Sequence, residues 1–423
     1  MTAKGYFDPG TRLGAKEGVN PDDLAQAGWG VVFAEDADPR VRDSLEELLE
    51  HRRGQAGALF QVYAGERAYR RGEDKWDFMA RFGGAPGPVD PEKIPYYLLL
   101  VGDPESIPFP FQYQLDVEHA VGRICFDRPE DYAAYARSVV AAERDPARVL
   151  ARGAGRPRAT FFAPKNAGDE TTAGLADRVV APLADWVRDA WDDWEVRTLL
   201  GEEATKGALV AELGEGATPA LLFAAAHGVR LPSGHPAQRR HQGALVCQEW
   251  SRGRPAGPDC YFWADDAEPT APHGLIAFFL ACHGAGTPRL DSFELAGRGS
   301  RLAPEAFAAR LPQRLLAHPG GGALAAVGHV DKALGYAFLW GGEQLESFKS
   351  TLKRLLDGGT IGSAMEYFDH RYSELAAGLA ELMRDAEWGR EPDDVQLVRM
   401  WTAHNDARGY VVFGDPAVRL PRG

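Results

Sequence analysis

Two uninterrupted apolar runs set the terms for this chain: Leu221-Leu222-Phe223-Ala224-Ala225-Ala226 and Leu275-Ile276-Ala277-Phe278-Phe279-Leu280-Ala281. A strand with one wet face alternates apolar and polar residues. A run without alternation needs cover on both faces, as in the parallel sheets of α/β proteins. Each run ends on a reactive side chain followed by glycine, in His227-Gly228 and Cys282-His283-Gly284. Residues just past the carboxyl ends of such strands face the crevice where open α/β sheets bind ligands. The two ends are therefore expected to share one crevice.

The rest of the chain fits that expectation. Strands are predicted over 96–101, 159–163, 194–200, 220–226, 274–281 and 322–328. Helices are predicted over 40–53, 129–143, 171–190 with a kink near Pro182, 206–213, 343–356 and 361–384, and a short strand over 244–248. Strands alternating with amphipathic helices give a parallel sheet covered by helices. Three regions are expected: an N-terminal extension, partly helical, over 1–90; an N-terminal subdomain over 91–156; and a main α/β domain over 157–423.

A thiol is a poor nucleophile until it loses its proton, and a neighbouring imidazole takes that proton and later returns one to a leaving amine. His227 and Cys282 are thus the candidate catalytic pair. The glycine after the histidine lets the backbone approach a substrate closely. The amides of Gly228 and Cys282 are candidates for an oxyanion hole, where donors lower the barrier by meeting the charge that develops on a carbonyl oxygen.

The formal charge of −14 over 423 residues argues against phosphate-neutralising contact with nucleic acid and suits a basic peptide better. Four cysteines without framework spacing, no signal-peptide core at the start and no membrane-length apolar stretch lead to the expectation of a cytoplasmic protein with no membrane partner.

Further segments carry a family resemblance. The His-to-Cys separation of 55 positions is close to the spacing of about 50 in caspases, in the same order. Val101-Gly102-Asp103 followed by Ile107-Pro108, Gly122-Arg123-Ile124, and the closing Gly414-Asp415-Pro416 resemble segments of the gingipain-type family of caspase-clan cysteine peptidases, which has many bacterial relatives. The resemblance spans about 95–420. It implies a caspase-like α/β/α sandwich with a mostly parallel central sheet plus a smaller N-terminal subdomain. It also implies a cysteine endopeptidase working through a thioester, with no metal and no cofactor. A role in limited regulatory proteolysis, such as bacterial stress or antiviral defence, follows by the same comparison, with an upstream protease or self-processing as trigger.

The chain departs from caspases before the nucleophile, where Leu280-Ala281-Cys282 replaces their Gln-Ala-Cys. Leucine cannot build an aspartate pocket. The resemblance points instead to Asp116, in Gln114-Leu115-Asp116-Val117-Glu118-His119, as the acid that receives an arginine at P1, the residue before the cleaved bond, with Glu118 and Asp127 as alternatives. Bidentate pairing of guanidinium with a carboxylate would make arginine the preferred P1 residue. His329 and Asp331 are placed in the substrate groove by fold analogy.

Plainer readings stand beside these. His283 is expected to pack or bond locally, because neighbours on an extended chain point to opposite sides. His235, His241, Cys247 and Cys260 lack the Cys-x-x-Cys knuckle of structural zinc. The loops at 236–242 (PAQRRHQ) and 297–302 (GRGSRL) are either self-cleavage sites or merely solvated connections. A non-catalytic caspase-like scaffold and a thioester-using transpeptidase are the competing functions; loss of labelling by an arginyl chloromethylketone in Cys282→Ala separates the first from a peptidase.

Overall fold

The computed structural model describes residues 14–151, 156–294, 300–334, 345–389 and 393–422. Fourteen strands are found among them: β1 (Trp29–Phe33), β2 (Phe60–Tyr63), β3 (Tyr97–Val101), β4 (Ala120–Ile124), β5 (Arg158–Ala163), β6 (Glu195–Leu200), β7 (Leu221–Ala225), β8 (Leu245–Val246), β9 (Tyr261–Phe262), β10 (Ile276–Leu280), β11 (Gly286–Thr287), β12 (Phe307–Ala308), β13 (Ala325–His329) and β14 (Tyr410–Gly414). Ten of them form one sheet in the order β2-β1-β3-β4-β14-β13-β10-β7-β5-β6, and β8-β9 and β11-β12 are small antiparallel pairs beside it.

Every neighbouring pair in the large sheet is parallel except β13 with β14. The sheet is therefore two five-stranded parallel halves running in opposite directions. Seven of the strands are buried at every position, as required where helices cover both faces. The partly exposed residues lie on the edge strands β2 and β6 and at Arg158, the first residue of β5. This is the mixed α/β architecture, with a large and mostly parallel sheet, that the apolar runs predict.

Several strands went unread in the sequence, among them β14, the short β9, β11 and β12, and two near the start. β1 (WGVVF) and β2 (FQVY) lie in the stretch expected to be helical in part, and both join the sheet next to β3. The predicted helix over 40–53 is present as Pro39–Ser44 and Glu46–Ala56.

The motifs that carried the resemblance hold β14 against the rest of its own half. A Cβ on Gly122 would lie 2.1 Å from the Gly414 carbonyl oxygen, so only glycine lets β4 approach β14 this closely. Asp415, fully buried, accepts from the Trp29 indole at 3.0 Å and from Arg52 Nε at 2.7 Å. Arg52 also forks onto Glu143 at 2.6 and 2.7 Å. Burial pushes the Glu143 carboxyl up, but Arg52 and His51 outweigh it and hold it at about 2.

Candidate active site

The register of the sheet brings the two reactive strand ends together. Leu280 of β10 pairs with Ala225 of β7, so Cys282 and His227 each lie two residues beyond a matched pair on adjacent parallel strands, which run roughly 4.8 Å apart. Gly228 sits against this turn: a Cβ there would lie 1.8 Å from the Cys282 carbonyl oxygen. Among the described residues neither the Gly228 nor the Cys282 amide has an acceptor, and both strand ends line one cleft of about 1130 Å³.

His227 is held by a residue that the sequence reading did not single out. Its Nε2 lies 3.2 Å from Asp169 Oδ2. Asp169 follows β5, the other neighbour of β7, and N-caps the helix Glu170–Leu175 by accepting from the Thr172 amide at 2.9 Å. Burial opposes its charge, but the Thr172 amide and His227 outweigh it and hold the carboxyl below its usual range. A carboxylate at Nε2 fixes the proton there and leaves Nδ1 free to accept one. The imidazole also stands edge-on to Trp250, ring centres 5.7 Å apart. Buried Asn166 fixes both supports: its amide nitrogen donates to the Cys247 and Trp250 carbonyls, and its backbone N–H donates to Thr172 Oγ1.

The Cys282 thiol donates to the Ala333 carbonyl at 3.6 Å. Burial pushes it up to about 11, with Asp406 and Asp331 adding to the shift, so the resting group is a neutral thiol. The backbone around it turns sharply. His283 and Asp331 both have positive φ, 58° and 83°, and the His283 amide donates to the Asp331 carbonyl at 2.6 Å. Left-handed conformations are costly for most residues, less so for Asp and His. His283 itself is buried against Thr287 Oγ1 at 3.4 Å, and burial lowers its imidazole to about 3.

The structure sets three sequence-predicted residues outside the cleft lining. Asp116 ends the helix Phe109–Asp116 and faces Asp369, and burial raises both carboxyls well above their usual range. His329 is buried with Nε2 at 3.0 Å from the Asp406 carbonyl, and Asp331 accepts from the Ser292 amide at 3.0 Å. It is their successors, Ala333 and Leu334, that reach the cleft. The carboxylates that line it are Glu170 and Asp177, missed in the sequence because both read as the polar face of a helix. Asp177 lies in a π turn, Ala176–Val180, just before Pro182. Pro182 has no N–H for the Arg178 carbonyl, and the Ala181 amide reaches back five residues to Ala176.

Arg239 and Arg240, in the first arginine-rich loop, sit in the short helix Gln238–His241 and pair with Glu305 and Asp265. Residues 297–299 of the second loop lie outside the described residues. Among the described residues no cluster of three or more His, Cys, Asp or Glu side chains has metal-binding geometry. No helix among them is long and apolar enough to cross a membrane.

The fold and this strand-end pair define the class: a caspase-like α/β architecture. The chain resembles a structure of the Arg-specific cysteine proteinase gingipain R, at 12% identity over 97% of this chain and 80% of that one, with a TM-score of 0.54. A second structure, described as a protease, has 14% identity, 95% and 80% coverage and a TM-score of 0.54. A complex of the pro- and mature domains of RgpB from Porphyromonas gingivalis matches at 11% identity over 93% and 80%, with a TM-score of 0.50. No family model and no curated protein matches the sequence.

Proposed function

We propose that this chain is a cysteine endopeptidase that cleaves after arginine. The observation that carries the reading is the level placement of His227 and Cys282 on neighbouring strands in one cleft, with Asp169 on the far nitrogen of the imidazole. Cys282 Sγ attacks the scissile carbonyl as its proton passes to His227 Nδ1, and the Gly228 and Cys282 amides receive the oxyanion. The C–N bond breaks as His227 protonates the leaving amine. Water, deprotonated by His227, then attacks the thioester carbonyl; the new acid leaves and the thiol is restored.

A neutral resting thiol suits this order, because proton removal and attack belong to the same step. The likeness to an Arg-specific proteinase and the two carboxylates in the cleft support arginine at P1, with Glu170 and Asp177 as its readers in place of Asp116. Paired fluorogenic peptides that differ only in Arg or Asp at P1 test the assignment. Arginine cleavage lost in Cys282→Ala is expected, and equal turnover of both peptides would refute the specificity. In Glu170→Gln and Asp177→Asn the arginine preference should fall by about tenfold each, while Asp116→Asn leaves it unchanged. Incubating wild type beside Cys282→Ala and comparing fragments on a gel tests self-processing.

A further inference from the structure

The cleft that holds the reactive pair also holds two cations without partners. Arg178 projects from the π turn and Arg399 from the helix Asp394–Ala407, and both line the cleft with His227 and Cys282. The side chain of neither makes a hydrogen bond, ion pair or ring contact with any described residue. Arg239 and Arg310 are answered by acids, Glu305 and Asp127, whereas Arg178 and Arg399 share the wall of the reactive cleft with no such partner. Two elements distant in sequence thus place guanidinium groups at one site, neither of them in an ion pair with the acids that share the cleft, and Asp177 is paired with Lys165.

The setting makes this pair informative. The chain as a whole carries a formal charge of −14, so its general field repels a negatively charged ligand. Attraction of a carboxylate has to be local, from groups close enough to escape screening. Arginine suits the task, because its planar fork matches a carboxylate with two hydrogen bonds. The π turn supplies the placement: its extra residue brings Asp177 and Arg178 together to the cleft wall, one of each sign.

We infer that the substrate carries a carboxylate close to the cleaved bond, and that Arg178 and Arg399 bind it. This rests on the peptidase reading, and it deepens that reading: the cleft takes a peptide with a positive P1 side chain beside a negative group. The carboxylate is either an Asp or Glu side chain or a free chain terminus.

Binding, not turnover, tests the inference. Rhodamine-labelled peptides with a fixed central Arg and amidated ends, carrying Asp or Asn in turn at each neighbouring position, are titrated into the Cys282→Ala protein and followed by anisotropy. A further peptide carries Asn and a free terminal acid. At low salt at least one acid-bearing peptide is expected to bind about fivefold more tightly than its neutral twin. That advantage disappears in Arg178→Glu and Arg399→Glu and shrinks at high salt. Whichever acid-bearing peptide wins identifies the source of the carboxylate. Equal affinity for all peptides, absence of binding, or an advantage that survives both charge reversals overturns the inference. Circular dichroism checks that the variants, altered only at exposed positions, remain folded. If wild-type protein cuts none of the peptides, the peptidase reading fails while the binding ratio still decides the carboxylate site.

Discussion

The two halves of the sheet are built alike and handle buried charge differently. Each has five parallel strands, joined only through the antiparallel pair β13 and β14. In the half containing β1 to β4, Arg52 lies between Asp415 and Glu143, so opposite charges close on each other. In the half containing β7 and β10, Asp331 and Asp406 are buried near the nucleophile and accept from the Ser292 and Leu334 amides. Burial pushes these two carboxyls up to about 6 and about 7. The first arrangement ties the end of β14 to the helices of its own half; the second stores unfavourable burial and positive-φ backbone beside the reactive thiol. Strain of this kind persists where the surrounding structure over-determines it, typically at sites of function.

The contrast is open to test, and the largest effect belongs to the strained half. Cys282→Ala should reduce peptide cleavage at least about a thousandfold with an unchanged melting temperature; residual turnover near wild type would remove this thiol from the chemistry. Asp169→Asn should lower kcat about a hundredfold with little change in KM, since the imidazole loses its oriented tautomer. A loss confined to KM would assign Asp169 to substrate binding instead. In the other half, Asp415→Asn should cost about 3 kcal/mol in urea unfolding, because Arg52 loses one of its two buried counter-charges. Its kcat per folded molecule should not move.

The smallest effect is a pH slope. Asp406 has a folded-state pKa raised to about 7, above the unfolded value of about 3.9. The folded state therefore holds the proton more tightly. The stability from this group is full below about pH 4 and is lost as pH rises towards 7, with a slope of about 1.4 kcal/mol per pH unit inside that window. Asp406→Asn should flatten the slope over that window, as read from unfolding midpoints, and an unchanged slope would clear Asp406 of the effect.

Much of the fold was legible because it is written locally. The runs that became β7, β10 and β13 are apolar at nearly every position, and strands buried on both faces leave that signature. β1 and β2 escaped because Gly28 and Gly30 break up the first run and Gln61 the second, and their stability comes from pairing with β3 and with each other. The helix Asp394–Ala407 went unread for a related reason. Val395 and Val398 are exposed, which blurs its apolar stripe, and it is positioned by packing on the long helix Ile361–Glu387. Asp169 carries the mark of an N-cap, an Asp three residues before Thr172. Nothing in that mark says that the helix it caps begins beside a histidine 58 positions later.

What the sequence by itself determined is the kind of residue at each strand end: an imidazole and a thiol, each past an apolar strand, with a glycine permitting close approach. Periodicity and turn chemistry act over a few residues, so they can be read one segment at a time. Strand order and register were decided only by the tertiary structure. They place β5 beside β7, and so Asp169 on His227; they turn Glu170, Asp177, Arg178 and Arg399 into the cleft and leave Asp116 out of it. Those choices depend on hydrogen-bond ladders and packing between segments far apart in the chain, for which a single sequence carries no local signal.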